Sequence, residues 1–90
     1  MHRDLKPDNI LIRKRDDYTS IALIDFGTAA RHPLNSPDKL KEMVGTMDYI
    51  APEVINQEYD HKADIWSIGA MTYFILSGTP PFSAGSEAAL

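Results

Sequence analysis

The run from His61 to Leu76 restricts the fold of this chain more than any other feature, because its apolar residues surround a helical axis. Asp60 is placed to cap the first turn of this helix, and Gly78 with the prolines after it ends the helix. A helix that is apolar on every side is typical of a protein interior, since no face of it suits water. The sequence therefore predicts one buried central helix at about residues 61–77.

Size and composition limit what can surround this helix. The 90 residues form at most one small domain, and a chain of this size buries only roughly 60–65% of its unfolded surface. The net charge is −4 with dispersed basic residues, which disfavours nucleic acid and anionic membranes as partners. There is no cysteine, and no secretory signal or membrane span is visible. We therefore expect a soluble intracellular protein, in the cytoplasm or alternatively in the nucleus.

The segments before the helix begin with a polar loop over residues 1–9. Two β-branched runs follow, at Asn9–Arg13 and at Ile21–Asp25. Because residues 14–20 between them are polar and turn-like, the two runs predict a hairpin with a longer loop.

The open end of this hairpin is a candidate metal site. If the turn centres near Asp17, Ile10 pairs with Ile24, and Asn9 and Asp25 then meet at the same end. An amide oxygen beside a carboxylate offers the hard oxygen ligands that suit Mg²⁺. Hairpin ends are also commonly polar without any function. From these residues alone, both interpretations stay open.

The stretch between the hairpin and the helix contains several breakers. Residues 27–43 include Pro33 and Pro37 and predict a mobile loop. Residues 51–57 predict one or two helical turns that open with a proline. Residues 81–90, after the helix, look like the beginning of a further element.

Three motifs occur in a fixed order along the chain: His2-Arg3-Asp4-Leu5-Lys6-Pro7-Asp8-Asn9, Asp25-Phe26-Gly27 and Ala51-Pro52-Glu53. In these motifs the chain resembles eukaryotic-type serine/threonine protein kinases, and the resemblance covers nearly all of the sequence. It implies an α+β fragment of the large lobe, in which a β-hairpin and an activation segment pack on a long central helix. The implied parts are a catalytic loop (2–9), a hairpin (9–25), an activation segment (25–53) and the central helix (about 61–77).

The resemblance implies transfer of phosphate from ATP, with Mg²⁺, to a serine or threonine of a protein substrate. Asp4 would accept the proton of the substrate hydroxyl. Asn9 and Asp25 would hold Mg²⁺ against the nucleotide, and Lys6 would place positive charge near the transferred phosphate. Thr46 matches the family threonine that hydrogen-bonds toward the catalytic aspartate. Both Lys6 and Thr46 favour serine/threonine specificity.

Other matched residues imply structural roles. His2 is expected to be packed and hydrogen-bonded, with a general base as the alternative. Phe26 is expected to pack, and Gly27 to permit a backbone turn. Asp64 would accept backbone hydrogen bonds from the catalytic loop; the alternative is an exposed acid that stabilises the helix dipole. Trp66 is expected to lie in the core.

Regulation is predicted from the residue before the catalytic aspartate. Arg3 is typical of kinases in which a negative charge on the activation segment orders the catalytic loop. Glu42 lies three residues before Gly45, where many relatives carry a phosphorylated threonine, and is predicted to supply that charge permanently. An exposed glutamate without a role is the alternative. Ser36 precedes a proline and fits a site for a proline-directed kinase, although this dipeptide is common in loops.

The resemblance also implies parts that these residues do not contain. A small lobe with its glycine-rich loop and ATP-anchoring lysine would precede Met1, and further helices would follow Leu90. Glu53 would lack its arginine partner and face solvent, and apolar residues of the central helix would lose their cover. We therefore expect a piece of an active kinase that is inactive by itself. A catalytically dead remnant that acts as a binding module is the alternative.

Overall fold

A short hairpin and two helices form the regular structure of the chain. The computed structural model describes residues 1–33 and 35–82. The order of elements is a 3₁₀ turn Pro7–Asn9, β1 Ile10–Lys14, β2 Asp17–Leu23, α1 Pro52–Ile55 and α2 Lys62–Ser77. The N-terminal loop (residues 1–9) precedes β1, and the long segment (residues 24–51) joins β2 to α1. The structure is α+β. Among residues 1–33 and 35–82, none of the helices could span a membrane.

The two strands form an antiparallel hairpin with a tighter turn than the sequence predicts. The turn consists of residues 15–16, and Asp16 has a left-handed φ of 64°, a conformation in which Asp is enriched among residues other than glycine. Ile10 pairs with Leu23 rather than with Ile24. The predicted register is therefore wrong by one residue, because the turn does not centre at Asp17.

The polar residues after the turn belong to β2 and not to a loop. Lys14 pairs with Asp17, whereas Ile12 pairs with Ile21, so the ladder is irregular between these two pairs. The Asp17 carboxylate accepts a hydrogen bond from the Thr19 N–H at 3.1 Å. Because strand pairing satisfies the backbone here, the polarity of residues 17–20 does not prevent a strand.

Helix α2 occupies the predicted region and has polar contacts at both ends. His61 is in the cap position, but the Lys62 N–H donates to Oδ1 of Asp60 at 3.0 Å. Asp60 thus accepts a hydrogen bond from the first turn of the helix, although it lies one residue before the N-cap position. At the other end Gly78 has a left-handed φ of 84°, and its N–H donates to the Phe74 carbonyl at 2.8 Å. Helices commonly end with a glycine in this conformation, because glycine has no Cβ and adopts it without a steric penalty.

The described residues do not bury α2 on every side as its pattern predicts, which agrees with the expectation that its apolar residues lose their cover. The side chains of α2 that are buried lie along one face, at Ala63, Ser67, Ala70 and Met71. Ile75 and Leu76 are 72% and 82% exposed. Trp66 is 37% exposed and stacks on Phe82 with ring centroids 5.8 Å apart, so it does not lie in the core as expected. The described segments therefore cover only this face of α2.

The core lies between α1, the long segment and the beginning of α2. Its buried members are Ile50, Ala51, Val54, Tyr59 and Ala63. Leu40 pairs with Tyr59 through two backbone hydrogen bonds of 2.7 and 3.0 Å. This pairing fixes the middle of the long segment on the residues that lead into α2.

The predicted loop over residues 27–43 contains no helix or strand element in its described part. The Ala30 N–H donates to the Met1 carbonyl at 3.0 Å, which ties the beginning of the loop to the N-terminus. Residue 34 lies outside the described residues, as do residues 83–90, where a further element was expected. The mobility of this loop stays a prediction.

Candidate active site

One carboxylate at the first turn of α2 holds the N-terminal loop. Oδ2 of Asp64 accepts a hydrogen bond from the His2 N–H at 2.7 Å, and Oδ1 accepts one from the Arg3 N–H at 3.0 Å. Arg3 has a φ of 74°, a left-handed conformation that is uncommon outside glycine. Such a conformation persists only where surrounding contacts fix it. The contacts with Asp64 therefore also fix the residue that follows, Asp4.

His2 uses both ring nitrogens in contacts with the backbone. The Asp4 N–H donates to Nδ1 at 3.1 Å, so Nδ1 carries no proton and Nε2 donates to the Ile24 carbonyl at 2.9 Å. Because neither nitrogen is left to accept a substrate proton, the geometry favours a structural role over a general base. Phe26 meets the His2 ring edge-on with centroids 4.9 Å apart, yet it is 58% exposed. The described residues thus cover only part of Phe26.

Three side chains form a hydrogen-bonded chain beside the N-terminal loop. Nζ of Lys6 donates to Oγ1 of Thr46 at 2.9 Å, and this hydroxyl donates to Oδ1 of Asp4 at 2.7 Å. The second oxygen of Asp4 is 4.0 Å from Nζ of Lys6. The side chains of Lys6 and Asp4 keep 23% and 15% of their surface exposed. A carboxylate that is oriented through one oxygen and is not fully buried is suited to accept a hydroxyl proton.

Asn9 and Asp25 lie near the open end of the hairpin. Nδ2 of Asn9 donates to the Asp4 carbonyl at 2.8 Å, which leaves the amide oxygen as the atom for a cation. The Ile24 N–H donates to the Asn9 carbonyl at 2.9 Å, so Asp25 is one residue beyond the position opposite Asn9. Asp25 has a left-handed φ of 62° and an exposed side chain. Because the chain turns there, strand alternation does not fix the direction of its carboxylate.

Asn9 and Asp25 offer oxygen donors, which are the type of ligand that Mg²⁺ takes. Within residues 1–33 and 35–82, no group of three or more His, Cys, Asp or Glu side chains could hold a metal ion. Mg²⁺ does not require such a group, since it keeps several waters and takes phosphate oxygens beside one or two protein ligands. The amide oxygen of Asn9 and the carboxylate of Asp25 are ligands of that kind.

The Arg3 side chain is 7% exposed and contacts three residues of other segments. Its Nε donates to the Thr28 carbonyl, and Nη1 donates to the Tyr59 hydroxyl at 3.1 Å and to the Glu42 carboxylate at 3.3 Å. Burial opposes the charge, but hydrogen bonds and attraction to Tyr59 and Glu42 outweigh it, so the pKa of Arg3 is raised above its usual value. The Glu42 side chain is 74% exposed, so solvent screens its ion pair with Arg3.

The remaining predicted residues lie apart from these contacts. Gly27 is in a turn, but the left-handed φ at the beginning of the long segment falls on Asp25 instead. Ser36 is half-buried, and its Oγ accepts a hydrogen bond from the Asp38 N–H at 3.2 Å. Glu53 is half-buried in α1 rather than fully exposed, and none of the ion pairs among the described residues involves it.

Two residues near Arg3 are not predicted from the sequence. A Cβ at Gly45, where φ is 111°, would lie 2.7 Å from the Arg3 carbonyl oxygen and 2.6 Å from Cγ2 of Ile50. Only glycine therefore lets the long segment pass this close to Arg3. Tyr59 is the other residue; a single aromatic side chain before a helix cap is too common a pattern to indicate a role.

Comparison with known proteins identifies the family. The model of the protein kinase domain family matches residues 1–90. Calcium-dependent protein kinase 4 of Plasmodium berghei (strain Anka) and of Plasmodium falciparum (isolate 3D7) are each 46% identical over 88 residues, which cover 97% of this chain and 16% of the relative. Calcium-dependent protein kinase 34 of Arabidopsis thaliana is 45% identical over 87 residues, with the same shares. The chain belongs to the protein kinase domain family, and it spans only a small part of the length of these relatives.

Proposed function

We propose that the complete gene product containing this chain transfers phosphate from ATP to serine or threonine residues of protein substrates. The observation that supports the proposal most directly is the hydrogen-bonded chain of Lys6, Thr46 and Asp4. It lies on a loop that Asp64 fixes to α2 through two backbone hydrogen bonds. Phosphoryl transfer depends mainly on such positioning and on cationic charge, because little covalent chemistry is required of the protein.

In this proposal each residue of the candidate active site has one task. Asp4 accepts the proton of the substrate hydroxyl through the carboxylate oxygen that Thr46 does not occupy. Lys6 places its ammonium group within 4.0 Å of that oxygen, where it balances charge as the phosphate approaches. Asn9 and Asp25 hold Mg²⁺, which when bound neutralises the negative charge of the nucleotide phosphates.

Specificity for serine and threonine is a finer part of the proposal. The Thr46 hydroxyl is within hydrogen-bond distance of both Asp4 and Lys6, at 2.7 and 2.9 Å. It therefore borders the position that an acceptor hydroxyl takes beside Asp4. We expect a serine or threonine hydroxyl, rather than that of a tyrosine, to be placed beside Asp4 at this position.

The 90 residues by themselves are proposed to transfer no phosphate. The sequence contains neither a glycine-rich phosphate loop nor the lysine that accompanies it in kinases. Without these groups ATP loses most contacts that hold it in line with the acceptor. A purified 90-residue chain incubated with radiolabelled ATP, Mg²⁺ and serine/threonine peptides should give no signal above background. Transfer that depends on Mg²⁺ would contradict this part of the proposal.

The main proposal is tested with Asp4→Asn in the complete gene product. This change keeps the shape of the side chain and removes its ability to accept a proton, so kcat on serine/threonine peptides should fall by about 100-fold or more. Asp16→Asn is the matched control, because Asp16 is an exposed turn residue whose left-handed conformation asparagine also adopts. Equal kcat in Asp4→Asn and the unsubstituted protein would overturn the proposal. No transfer by any of the three proteins would favour the binding-module alternative.

A further inference from the structure

Tyr59 connects three segments of the molecule through one buried side chain. It is 2% exposed, and its hydroxyl accepts a hydrogen bond from Nη1 of Arg3 at 3.1 Å. The same hydroxyl donates to the backbone carbonyl of Glu42. The Tyr59 backbone exchanges two further hydrogen bonds with Leu40. The N-terminal loop, the long segment and the residues leading into α2 thus meet at this side chain.

We propose that Tyr59 is a positioning residue for Asp4 that acts through Arg3, an inference that rests on the proposed phosphoryl transfer. Its hydroxyl holds the guanidinium of Arg3, and Arg3 in turn fixes the backbone from which the Asp4 carboxylate projects. Tyr59 itself touches no reacting atom in this arrangement.

The strained backbone of Arg3 explains why a distant hydroxyl affects Asp4. A left-handed φ of 74° at an arginine relaxes unless the residue is held on more than one side. Asp64 holds its N–H at 3.0 Å, and the side chain is held by Thr28 and Tyr59. Relaxation of this φ rotates the next peptide group and moves the Asp4 carboxylate away from Thr46.

Tyr59 contributes more to this restraint than Glu42 does. Both residues meet Nη1 of Arg3, at 3.1 and 3.3 Å. The Glu42 side chain is 74% exposed, so water and salt replace or screen its contact, whereas the Tyr59 ring is buried in the core. Removal of the Tyr59 hydroxyl leaves the Glu42 carbonyl and the buried guanidinium of Arg3 without that partner.

The first measurement compares Tyr59→Phe with Tyr18→Phe in the complete gene product. Phenylalanine keeps the packing of the ring and removes only the hydroxyl. Tyr59→Phe should lower kcat by about tenfold and leave the KM for ATP within about twofold, because Asp4 is displaced while nucleotide contacts remain. Tyr18 is 75% exposed on β2, away from α2, and its substitution should leave both constants unchanged. Equal kcat in the two variants would overturn the inference.

A second measurement separates action through Arg3 from a general loss of stability. In an Arg3→Lys background the planar guanidinium that contacts the Tyr59 hydroxyl is absent, so Tyr59→Phe should lower kcat by less than about twofold further. A purely structural role would reduce kcat by the same factor in both backgrounds. That additive result would contradict positioning through Arg3.

Hydrogen–deuterium exchange distinguishes failure of this inference from failure of the proposed function. Tyr59→Phe should increase the exchange rate of peptides covering residues 40–45, and Tyr18→Phe should not. If the unsubstituted protein transfers no phosphate, the proposed function fails, and the inference fails with it as a statement about catalysis. Unchanged exchange in an active enzyme would overturn the positioning inference alone.

Discussion

The two ends of helix α2 lie in contrasting surroundings. At its beginning, Asp64 accepts hydrogen bonds from two backbone N–H groups, and the buried Tyr59 side chain precedes the helix by a few residues. At its end, Ile75 and Leu76 are 72% and 82% exposed in the described structure. The first end is organised by polar contacts between segments, whereas the second end presents apolar surface.

This difference distinguishes the residues that position the candidate site from the apolar residues that lie outside it. The contacts of Asp4, Arg3 and Thr46 all form among these 90 residues, so the local geometry is determined by this sequence. The apolar side chains near the end of α2 contribute little to that geometry. In the proposed kinase they are suited to pack against other parts of the domain.

Asp64→Asn tests the polar end and should have the largest effect. An asparagine presents one oxygen and one NH₂ group to the two N–H donors of His2 and Arg3, so one charged hydrogen bond is lost and one donor faces another donor. The free energy of unfolding should fall by about 2–3 kcal/mol. Urea unfolding of the 90-residue chain can be followed by the fluorescence of Trp66, the single tryptophan in these residues. The exposed Asp38→Asn is the control, and equal midpoints for both variants would show that Asp64 does not hold the loop.

Glu42→Gln tests the exposed edge of the same polar region. The carboxylate is 3.3 Å from Arg3 but largely exposed, so the change should lower kcat of the complete gene product by about two- to fivefold. High salt should reduce the difference, because the ion pair is screened. Unchanged kcat at low salt would rule out the idea that Glu42 stands in for an activating phosphate.

Leu76→Gln tests the apolar end and should change the free energy of unfolding of the 90-residue chain by no more than about 0.5 kcal/mol. Ala70→Gln is the contrasting variant on the buried face of α2. It places a polar group in a packed contact and should destabilise the chain by about 2 kcal/mol. Equal effects of the two substitutions would show that the described exposure of α2 does not hold in solution.

The Asp60 cap should have the smallest effect, and one that depends on pH. The pKa of Asp60 is lowered by the hydrogen bond from the Lys62 N–H and then by Lys39, whose Nζ is 3.1 Å away. A carboxylate whose folded-state pKa is depressed stabilises the fold above its usual pKa of 3.8, and this contribution is lost as the pH falls through the lower folded-state value. Asp60→Asn should therefore lower the urea midpoint at about pH 6 but not at about pH 2. An equal change at both values would contradict the charge-based cap.

The sequence predicts the helices and the residues of the motifs better than it predicts how the segments meet. Helix α2 follows from its apolar run and from Gly78, since both depend on local chain properties. The hairpin register does not, because the left-handed conformation at Asp16 and the irregular ladder beside it change the pairing by one residue. The buried contact of Tyr59 with Arg3 depends on tertiary packing across 56 positions of sequence, and no local pattern indicates it.

The exposure of α2 shows a second limit of sequence patterns. Apolar residues on all sides of Lys62–Ser77 indicate what the helix is suited to contact, and not what this chain places against it. The segments described here cover Ala63, Ser67, Ala70 and Met71, of which the first three have small side chains that allow close approach. The pattern thus predicts a core position for Trp66, but the described residues do not bury this side chain.

The most direct test of the proposed site is diffraction from the complete gene product crystallised with a non-hydrolysable ATP analogue and Mn²⁺, whose anomalous signal locates the metal. We expect the Mn²⁺ ion to contact the amide oxygen of Asn9, the carboxylate of Asp25 and phosphate oxygens of the analogue, with Asp4 facing the terminal phosphate. A metal and nucleotide bound elsewhere, with Asn9 and Asp25 directed into different cavities, would contradict the account.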